Sequence, residues 1–402
     1  MSTLRIALVG IGGYGNFYVK ELLDHAAEQD VKWVAAIDPD PRRCSRLKEL
    51  EARGVPRFAS LDEFHARGEG ADLTVIATGI HLHVPMAQAA LARGSHVLAE
   101  KPMCATIQEA LELQAAREAA GKFVAIGYQW SYSHAIQAFK RDVRSGRFGA
   151  PVRLKCLVLW PRKHDYYARN RWAGRLKTDA GAWVLDSPAN NATAHYLHNM
   201  FYCLGDAPDS SALPVRAQAE LGRANAIENF DTAAARFAAS SGAEVLYFGS
   251  HAVKQSVGPL FEYKFEDGTA ALGMEGPTLR ASFADGTVHD YGDPNAEQGR
   301  KLWLSVEAAR GRQAVLCPVE AAMAQTLAVN GMQDSMPGIA PFPAELVNLD
   351  ESDGKLTWVT GLGEALQEAY RQNRLPSEVC AGGAPTGRTV DLTDYRTYPG
   401  GK

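Results

Sequence analysis

Over the first third of the chain, short runs that are apolar throughout alternate with stretches whose apolar residues recur at helical spacing. The runs Leu4–Val9, Val31–Ile37, Leu73–Ala77, His96–Ala99 and Phe123–Ile126 predict strands. Between them Tyr14–Gln29, Pro41–Arg53, Val84–Arg93 and Ile107–Ala120 predict helices. Strands without polar positions must be covered on both faces, as in a parallel sheet flanked by helices. Right-handed crossovers then make this segment an open, doubly wound sheet.

The pattern changes near Pro151. Val152–Leu159, Val215–Leu221, Thr232–Ala238, Glu244–Gly249, Leu260–Phe265 and Thr278–Phe283 are longer, and several alternate apolar with polar residues. Glu266-Asp267-Gly268 and Ala284-Asp285-Gly286 mark hairpin turns, so this sheet is largely antiparallel. Trp183–Leu204 is partly helical, and Val319–Met332 and Leu362–Asn373 predict further helices. Ala381–Lys402 reads as an extended or partly disordered arm. The fold class is therefore α/β. A doubly wound domain over residues 1–130 precedes an α+β domain over 131–340 with an open sheet and a C-terminal extension over 341–402.

Composition narrows the classes. A chain of 402 residues, 46% hydrophobic and 22% charged, suits two globular domains. A net charge of −4 gives no electrostatic reason to expect nucleic acid or a membrane surface as partner. The N-terminus enters a strand at once without a basic, apolar leader, and no apolar run reaches the ~20 residues of a membrane helix. Cys44, Cys104, Cys156, Cys203, Cys317 and Cys380 are scattered, and His164, His195, His198 and His251 show no ligand spacing. Reduced thiols, no metal site and a cytoplasmic location are expected.

Val9-Gly10-Ile11-Gly12-Gly13-Tyr14-Gly15 fits G-x-G-x-x-G between a strand and a helix. Gly10 allows the tight turn, Gly12 lets backbone approach a pyrophosphate, and Gly15 allows close helix packing. The helix N-terminus offers N–H groups to the phosphates. Asp38 ends the second strand, where a carboxylate meets ribose hydroxyls and repels a 2′-phosphate. The cofactor read from this is NAD, with NADP as the alternative because Arg42 and Arg43 follow.

Four further segments belong together. They are Ala77-Thr78-Gly79-Ile80-His81-Leu82-His83, Ala87 to Met103 through Gly94-Ser95-His96-Val97-Leu98-Ala99-Glu100-Lys101-Pro102, Gly127-Tyr128-Gln129-Trp130, and Trp172-Ala173-Gly174 with Gly181 and Val184-Leu185-Asp186. As a set they resemble the Gfo/Idh/MocA family, the relatives of glucose–fructose oxidoreductase and inositol dehydrogenase. The resemblance implies a Rossmann domain followed by an open-faced domain whose sheet often joins subunits into dimers or tetramers. It implies cofactor contacts from Gly10, Gly12, Gly13, Tyr14, Gly15, Asp38, Thr78, Gly79, His81, His83, Glu100, Lys101 and Gln129. It also implies that Lys101 reaches both the nicotinamide region and the substrate hydroxyl, that a cis bond precedes Pro102, and that Asp186 is a second catalytic carboxylate. Two departures stand out. The family's histidine one helical turn after the aspartate is here Asn190, with His195 as second choice if residues are inserted. Ser131 stands near the family's usual arginine after the sixth strand. On a continuous helix Asn190 shares the face of Asp186 and His195 does not.

Oxidising an alcohol requires a base for the hydroxyl proton while hydride leaves the carbon. Lysine, with an ordinary pKa of ~10.4, needs burial or a nearby cation to serve. Asp186 relays that proton or holds hydroxyls, or else caps the helix beginning at Pro188. The loop Trp160–Trp172 pairs aromatic rings with hydrogen-bonding groups, as sugar binding needs, and contributes Arg162, Tyr166 and Trp172 as substrate contacts. A solvated connection or a subunit contact explains that loop equally well. The reading is an NAD(P)-dependent dehydrogenase of a sugar, cyclitol or sugar derivative. Its rivals are a glycoside-cleaving enzyme that oxidises transiently, and a regulator that binds NAD without catalysis.

Overall fold

The structure is a computed structural model and describes residues 3–68, 70–352, 354–379 and 385–400. Cys380 and residues 381–384 and 401–402 of the expected arm lie outside the described residues. The strands are β1 (Leu4–Val9), β2 (Val31–Ile37), β3 (Arg57–Phe58), β4 (Leu73–Ile76), β5 (His96–Ala99), β6 (Val124–Ile126), β7 (Pro151–Leu159), β8 (Pro214–Arg223) and β9 (Thr232–Ala239). They continue as β10 (Glu244–Ser250), β11 (Val257–Phe265), β12 (Gly268–Leu272), β13 (Leu279–Phe283), β14 (Val288–Gly292), β15 (Ala340–Pro341), β16 (Val347–Asp350), β17 (Leu356–Val359) and β18 (Val390–Asp391). The helices are α1 (Gly15–His25), α2 (Leu47–Ala52), α3 (Leu61–Ala66), α4 (Ile80–Ala92), α5 (Ile107–Ala120) and α6 (His134–Arg144). After these come α7 (His164–Ala168), α8 (Ala194–Cys203), α9 (Arg300–Ala309), α10 (Val319–Ser335), α11 (Leu362–Gln372) and α12 (Pro376–Val379).

The chain forms two compact units. Met1–Cys104, Glu109–Tyr132 and Glu297–Ala322 make the first; Ala105–Gln108, Ser133–Ala296 and Met323–Lys402 make the second. Residues 297–322, inside the 131–340 segment of the sequence partition, thus pack with the first unit, and residues 341–402 with the second.

The first unit is a parallel sheet in the order β3-β2-β1-β4-β5-β6. Its core sets Ile6 and Leu8 of β1 and Trp33 of β2 against Tyr18 and Leu22 of α1 and Leu302 and Val306 of α9. Each fully buried aliphatic chain contributes roughly 1.5–3 kcal/mol. His96 at the start of β5 stacks on Phe123 at 4.2 Å, and its Nδ1 accepts the Phe123 N–H at 3.1 Å. Burial lowers its pKa from 6.5 to about 4. The unfolded chain therefore takes up a proton at this ring below pH 6.5 that the folded chain refuses until about pH 4. Stability falls across that window, and thermal melts between pH 7 and 4.5 should show a shallower acid limb for His96→Asn, which keeps an acceptor near Nδ1.

In the second unit the strand order is β14-β13-β12-β11-β7-β10-β9-β8-β15, with β18 also against β8. All neighbours are antiparallel except β7/β10 and β8/β15. The described part of the tail is thus partly a strand, with Leu392 and Tyr398 buried. Part of one face of this sheet is covered. Leu157 and Leu159 of β7, Ala234 of β9, and Leu246 and Phe248 of β10 form one core with Leu366, Ala369 and Tyr370 of α11. The stripe Leu362, Leu366, Ala369 and Tyr370 gives α11 an apolar face, and the buried Lys155 Nζ donates to the Tyr370 carbonyl at 3.0 Å. This part of the sheet is unavailable to a second copy because the chain's own extension covers it. The extension also forms the β16–β17 hairpin, which bridges at Leu356 to Lys163 and at Thr357 Oγ1 to His164 Nε2, 2.8 Å away.

No helix among the described residues is long and apolar enough to cross a membrane. The five described cysteines are buried and unbridged. No group of three His, Cys, Asp or Glu side chains among the described residues could hold a metal ion.

Candidate active site

In the first unit the candidate residues follow the carboxyl ends of β1, β4 and β5, where strand order reverses between β1 and β4. Open α/β sheets bind ligands at such a point. Gly10 has φ +84°, and a Cβ there would lie 2.3 Å from the Ala77 carbonyl oxygen. A Cβ on Gly15 would lie 2.0 Å from the Gly10 oxygen. A Cβ on Gly12 would meet Arg43 Cβ at 2.8 Å, so part of its constraint is the loop after β2. Gly13 has φ +54° and open space around its missing side chain. Helix α1 begins without a side-chain cap or an acidic residue in its first turn. That start suits an anion, so the cradle fits a dinucleotide pyrophosphate. Asp38 is fixed beside the loop: Oδ2 accepts the Ile11 N–H at 3.0 Å and Oδ1 the Asp40 N–H at 2.8 Å. Arg42 Nε turns to Asp40 Oδ1 at 2.6 Å, which weakens the case for a 2′-phosphate.

His83 is fully buried, and its ring nitrogens face two carbonyl oxygens, Pro102 at 2.8 Å and Thr78 at 3.2 Å. It braces the loop after β4 against the loop after β5, and burial lowers its pKa. As a neutral ring it carries one N–H and donates to one of these two carbonyls, so His83 packs against backbone on both sides. His81 is half-buried, and its Nδ1 has no partner. Thr78 Oγ1 lies 3.7 Å from Met86 Sδ, and Gly79 precedes α4 as its cap.

Glu100 is 5% exposed and organises the lysine beside it. Its Oε1 accepts from Tyr18 Oη at 2.6 Å and from Lys301 Nζ, while Oε2 faces the Lys101 N–H at 3.2 Å. Lys301, wholly buried on α9, also donates to Tyr14 Oη at 2.9 Å, and Tyr14 donates to Gln129 Oε1 at 3.3 Å. The ammonium lies 4.5 Å from the centre of the Tyr14 ring and 5.1 Å from that of Tyr18. Desolvation lowers the Lys301 pKa, and Glu100 opposes that shift. Gly127 makes the room, since a Cβ there would sit 2.7 Å from Glu100 Oε1. Lys101 is half-buried and precedes Pro102 through a cis bond. Tyr18 and Lys301 were missed from sequence. Lys301 adjoins the apolar stripe Leu302–Val306 of a helix that the sequence reading did not identify.

In the second unit Asp186 is 2% exposed and follows Leu185 at φ +49°. That left-handed conformation costs a residue with a side chain roughly 1–2 kcal/mol. Asp186 Oδ2 accepts the Gly174 N–H at 2.6 Å and lies 3.7 Å from the Arg169 guanidinium; Oδ1 accepts from Asn191 Nδ2 at 2.7 Å. The N-cap of the following turn is Ser187, whose Oγ accepts the Asn190 N–H at 3.2 Å, so Asp186 is not spent on capping.

Pro188–Ala192 is a π-turn, closed by Thr193 N–H to Pro188 O at 2.9 Å. Its wider spacing brings Asn191 to Asp186 rather than Asn190. Asn190 is wholly buried; its Nδ2 donates to Val184 O at 3.1 Å and its Oδ1 accepts from Gln325 Nε2 at 3.2 Å. The shared face expected for Asn190 is corrected to Asn191. His195 lies half-buried in the first turn of α8.

The aromatic loop joins this carboxylate. Arg169 sits 3.7 Å from the centre of the Tyr166 ring and 5.5 Å from that of Trp172, and Arg162 lies 5.0 Å from Tyr166. Of the expected substrate contacts, Arg162, Tyr166, Trp172 and Asp186 are thus linked through Arg169. Arg169 lies within the loop Trp160–Trp172 but was not among the expected contacts, and Asn191 was hidden by the π-turn.

Residues 4–128 match the family model described as "Oxidoreductase family, NAD-binding Rossmann fold", GFO_IDH_MocA. Over those residues the chain is similar to the Gfo/Idh/MocA family. Its NAD-binding domain carries the glycine cradle, Asp38 and the Glu100–Lys101 pair. Similarities to individual proteins cover less than half of this chain or are of low identity. A Comamonas testosteroni 1-carboxy-3-chloro-3,4-dihydroxycyclohexa-1,5-diene dehydrogenase is 30% identical over 46% of this chain and 45% of its own length. Inositol 2-dehydrogenase 1 of Saccharopolyspora erythraea is 30% identical over 48% of this chain and 58% of its own. The chain thus spans about half the length of these relatives. The WlbA dehydrogenase of Bordetella pertussis, solved with NADH and UDP-GlcNAcA, matches with a TM-score of 0.68 and 21% identity. That match covers 84% of this chain and 97% of the other and is a likeness of fold.

Proposed function

We propose that the chain is an NAD-dependent dehydrogenase acting on a hydroxyl-bearing carbon of a sugar, cyclitol or sugar derivative. The observation that carries this is the locked Glu100–Lys101 pair at the end of β5 in an NAD-binding domain. The relatives named above as dehydrogenases of ring diols and inositol support the substrate class. Bound NAD supplies the hydride acceptor. Gly10, Gly12, Gly13 and Gly15 hold its pyrophosphate, and Asp38 its ribose. Lys101 takes the hydroxyl proton as the carbinol is oxidised and returns it in reduction. Asp186 accepts hydroxyl hydrogens of the sugar, fixed for that task by Gly174 and Asn191.

The test is growth of the reduced-nicotinamide absorbance across a panel of sugars, cyclitols and glycosides with NAD and NADP. Release of aglycone with no net NADH would select the glycoside-cleaving route instead. Two neighbouring asparagines make a sharper check. Asn191→Ala should lower kcat/KM about tenfold or more by loosening Asp186, with melting temperature little changed. Asn190→Ala should do the reverse, destabilising the fold by about 1–3 kcal/mol because buried groups lose their partner. Equal effects from both variants would overturn the assignment of Asn191.

A further inference from the structure

The cluster around Tyr166 carries more positive charge than recognition of hydroxyls needs. Arg162 and Arg169 both lie against that ring, at 5.0 and 3.7 Å from its centre. The carboxylate facing Arg169, Asp186, lies 3.7 Å away and already takes Gly174 and Asn191. No carboxylate of the described residues pairs with Arg162, which stacks on Trp160 at 5.5 Å instead. Arg169 Nη1 also donates to the Tyr166 carbonyl, as Arg310 does to those of Gln29 and Asp30, so the loop's own backbone holds this guanidinium in the cluster.

Two buried nitrogens here lack a partner, Arg162 Nε and His251 Nε2. His251 is 2% exposed, with Nδ1 3.4 Å from Tyr167 Oη and its ring edge-on to Tyr166 at 5.4 Å. Burial, then the two arginines, depress its pKa, so the ring is neutral and adds no charge. The backbone is fixed from both sides, since Arg162 N–H donates to His251 O at 3.2 Å and the neighbouring Lys163 bridges to Leu356 in the extension.

We infer that Arg162 and Arg169, flanking Tyr166, seat an oxyanion carried by the substrate ring, a carboxylate or a phosphate ester, beside the hydroxyl held by Asp186. This deepens the dehydrogenase reading and rests on it for the role of Asp186. Charge-assisted contacts from two guanidiniums should discriminate an acid from its neutral parent by about tenfold or more.

The experiment is calorimetric binding of D-galacturonate, D-galactose 6-phosphate and D-galactose to the full chain with NAD present. One or both acids should bind about tenfold or more tightly than galactose, and which acid wins identifies the oxyanion. Arg162→Gln should reduce the acid to the level of galactose, while Arg162→Lys retains part of the preference. An unchanged melting temperature and NAD affinity certify the fold. Equal binding of all three probes, no binding of either acid, or an equal loss for acid and galactose in Arg162→Gln would overturn the seat. Binding tests the seat and NADH formation tests the dehydrogenase, so the two readings fail separately. Acid preference without NADH formation sinks the dehydrogenase, and NADH formation indifferent to acid sinks the seat.

Discussion

Lys101→Met is expected to cut turnover by about a thousandfold while NAD affinity stays within about threefold, in line with the 10²–10⁴ range of general acid–base groups. The side chain is half-buried, so its loss should cost little stability. Its backbone N–H faces Glu100 Oε2. Methionine keeps the length and removes the titrating amine. Steady-state rates on the first active substrate, with NAD binding followed by fluorescence, check both halves. A variant that keeps its rate would return the chain to the class of NAD-binding regulators.

The second large effect lies one step behind. Lys301→Met should leave the Glu100 carboxylate buried without its cation, a loss of about 3–5 kcal/mol for a broken buried pair. For a unit of this size that corresponds to a fall in melting temperature of about 6 °C or more. The double variant Lys301→Met/Glu100→Gln should recover part of the loss, because no charge is then stranded. Tyr14 also loses its donor, so NAD affinity should fall along with stability. A shift of less than about 1 °C would show that the pair is not formed.

Much of the first unit was legible because its strands are mostly apolar and two of its glycines are demanded by sterics. Leu4–Val9 and Val31–Ile37 were read with the bounds they have, and Gly10 and Gly15 cannot carry a side chain. Two-residue β3 and short α3 offer too few positions for any period to show. Helix α6 was missed although Ala135, Ile136, Phe139 and Lys140 mark its buried face. The return of α9 to the first unit is a long-range fact that no local window contains, and Lys301 was lost with it. Asp186 was found, yet its neighbour was misjudged because a π-turn shifts the facing residue by one. The cover over the second sheet escaped notice because the helix Leu362–Asn373 was recognised without a reason to place it there.

That cover has a bearing on how the protein behaves in dilute solution. A surface buried by a second subunit is held by mass action and loses its protection as concentration falls. Here Leu366, Ala369 and Tyr370 reach the strands β7, β9 and β10 on the same polypeptide. Over this surface the effective concentration of the lid is a constant of the molecule.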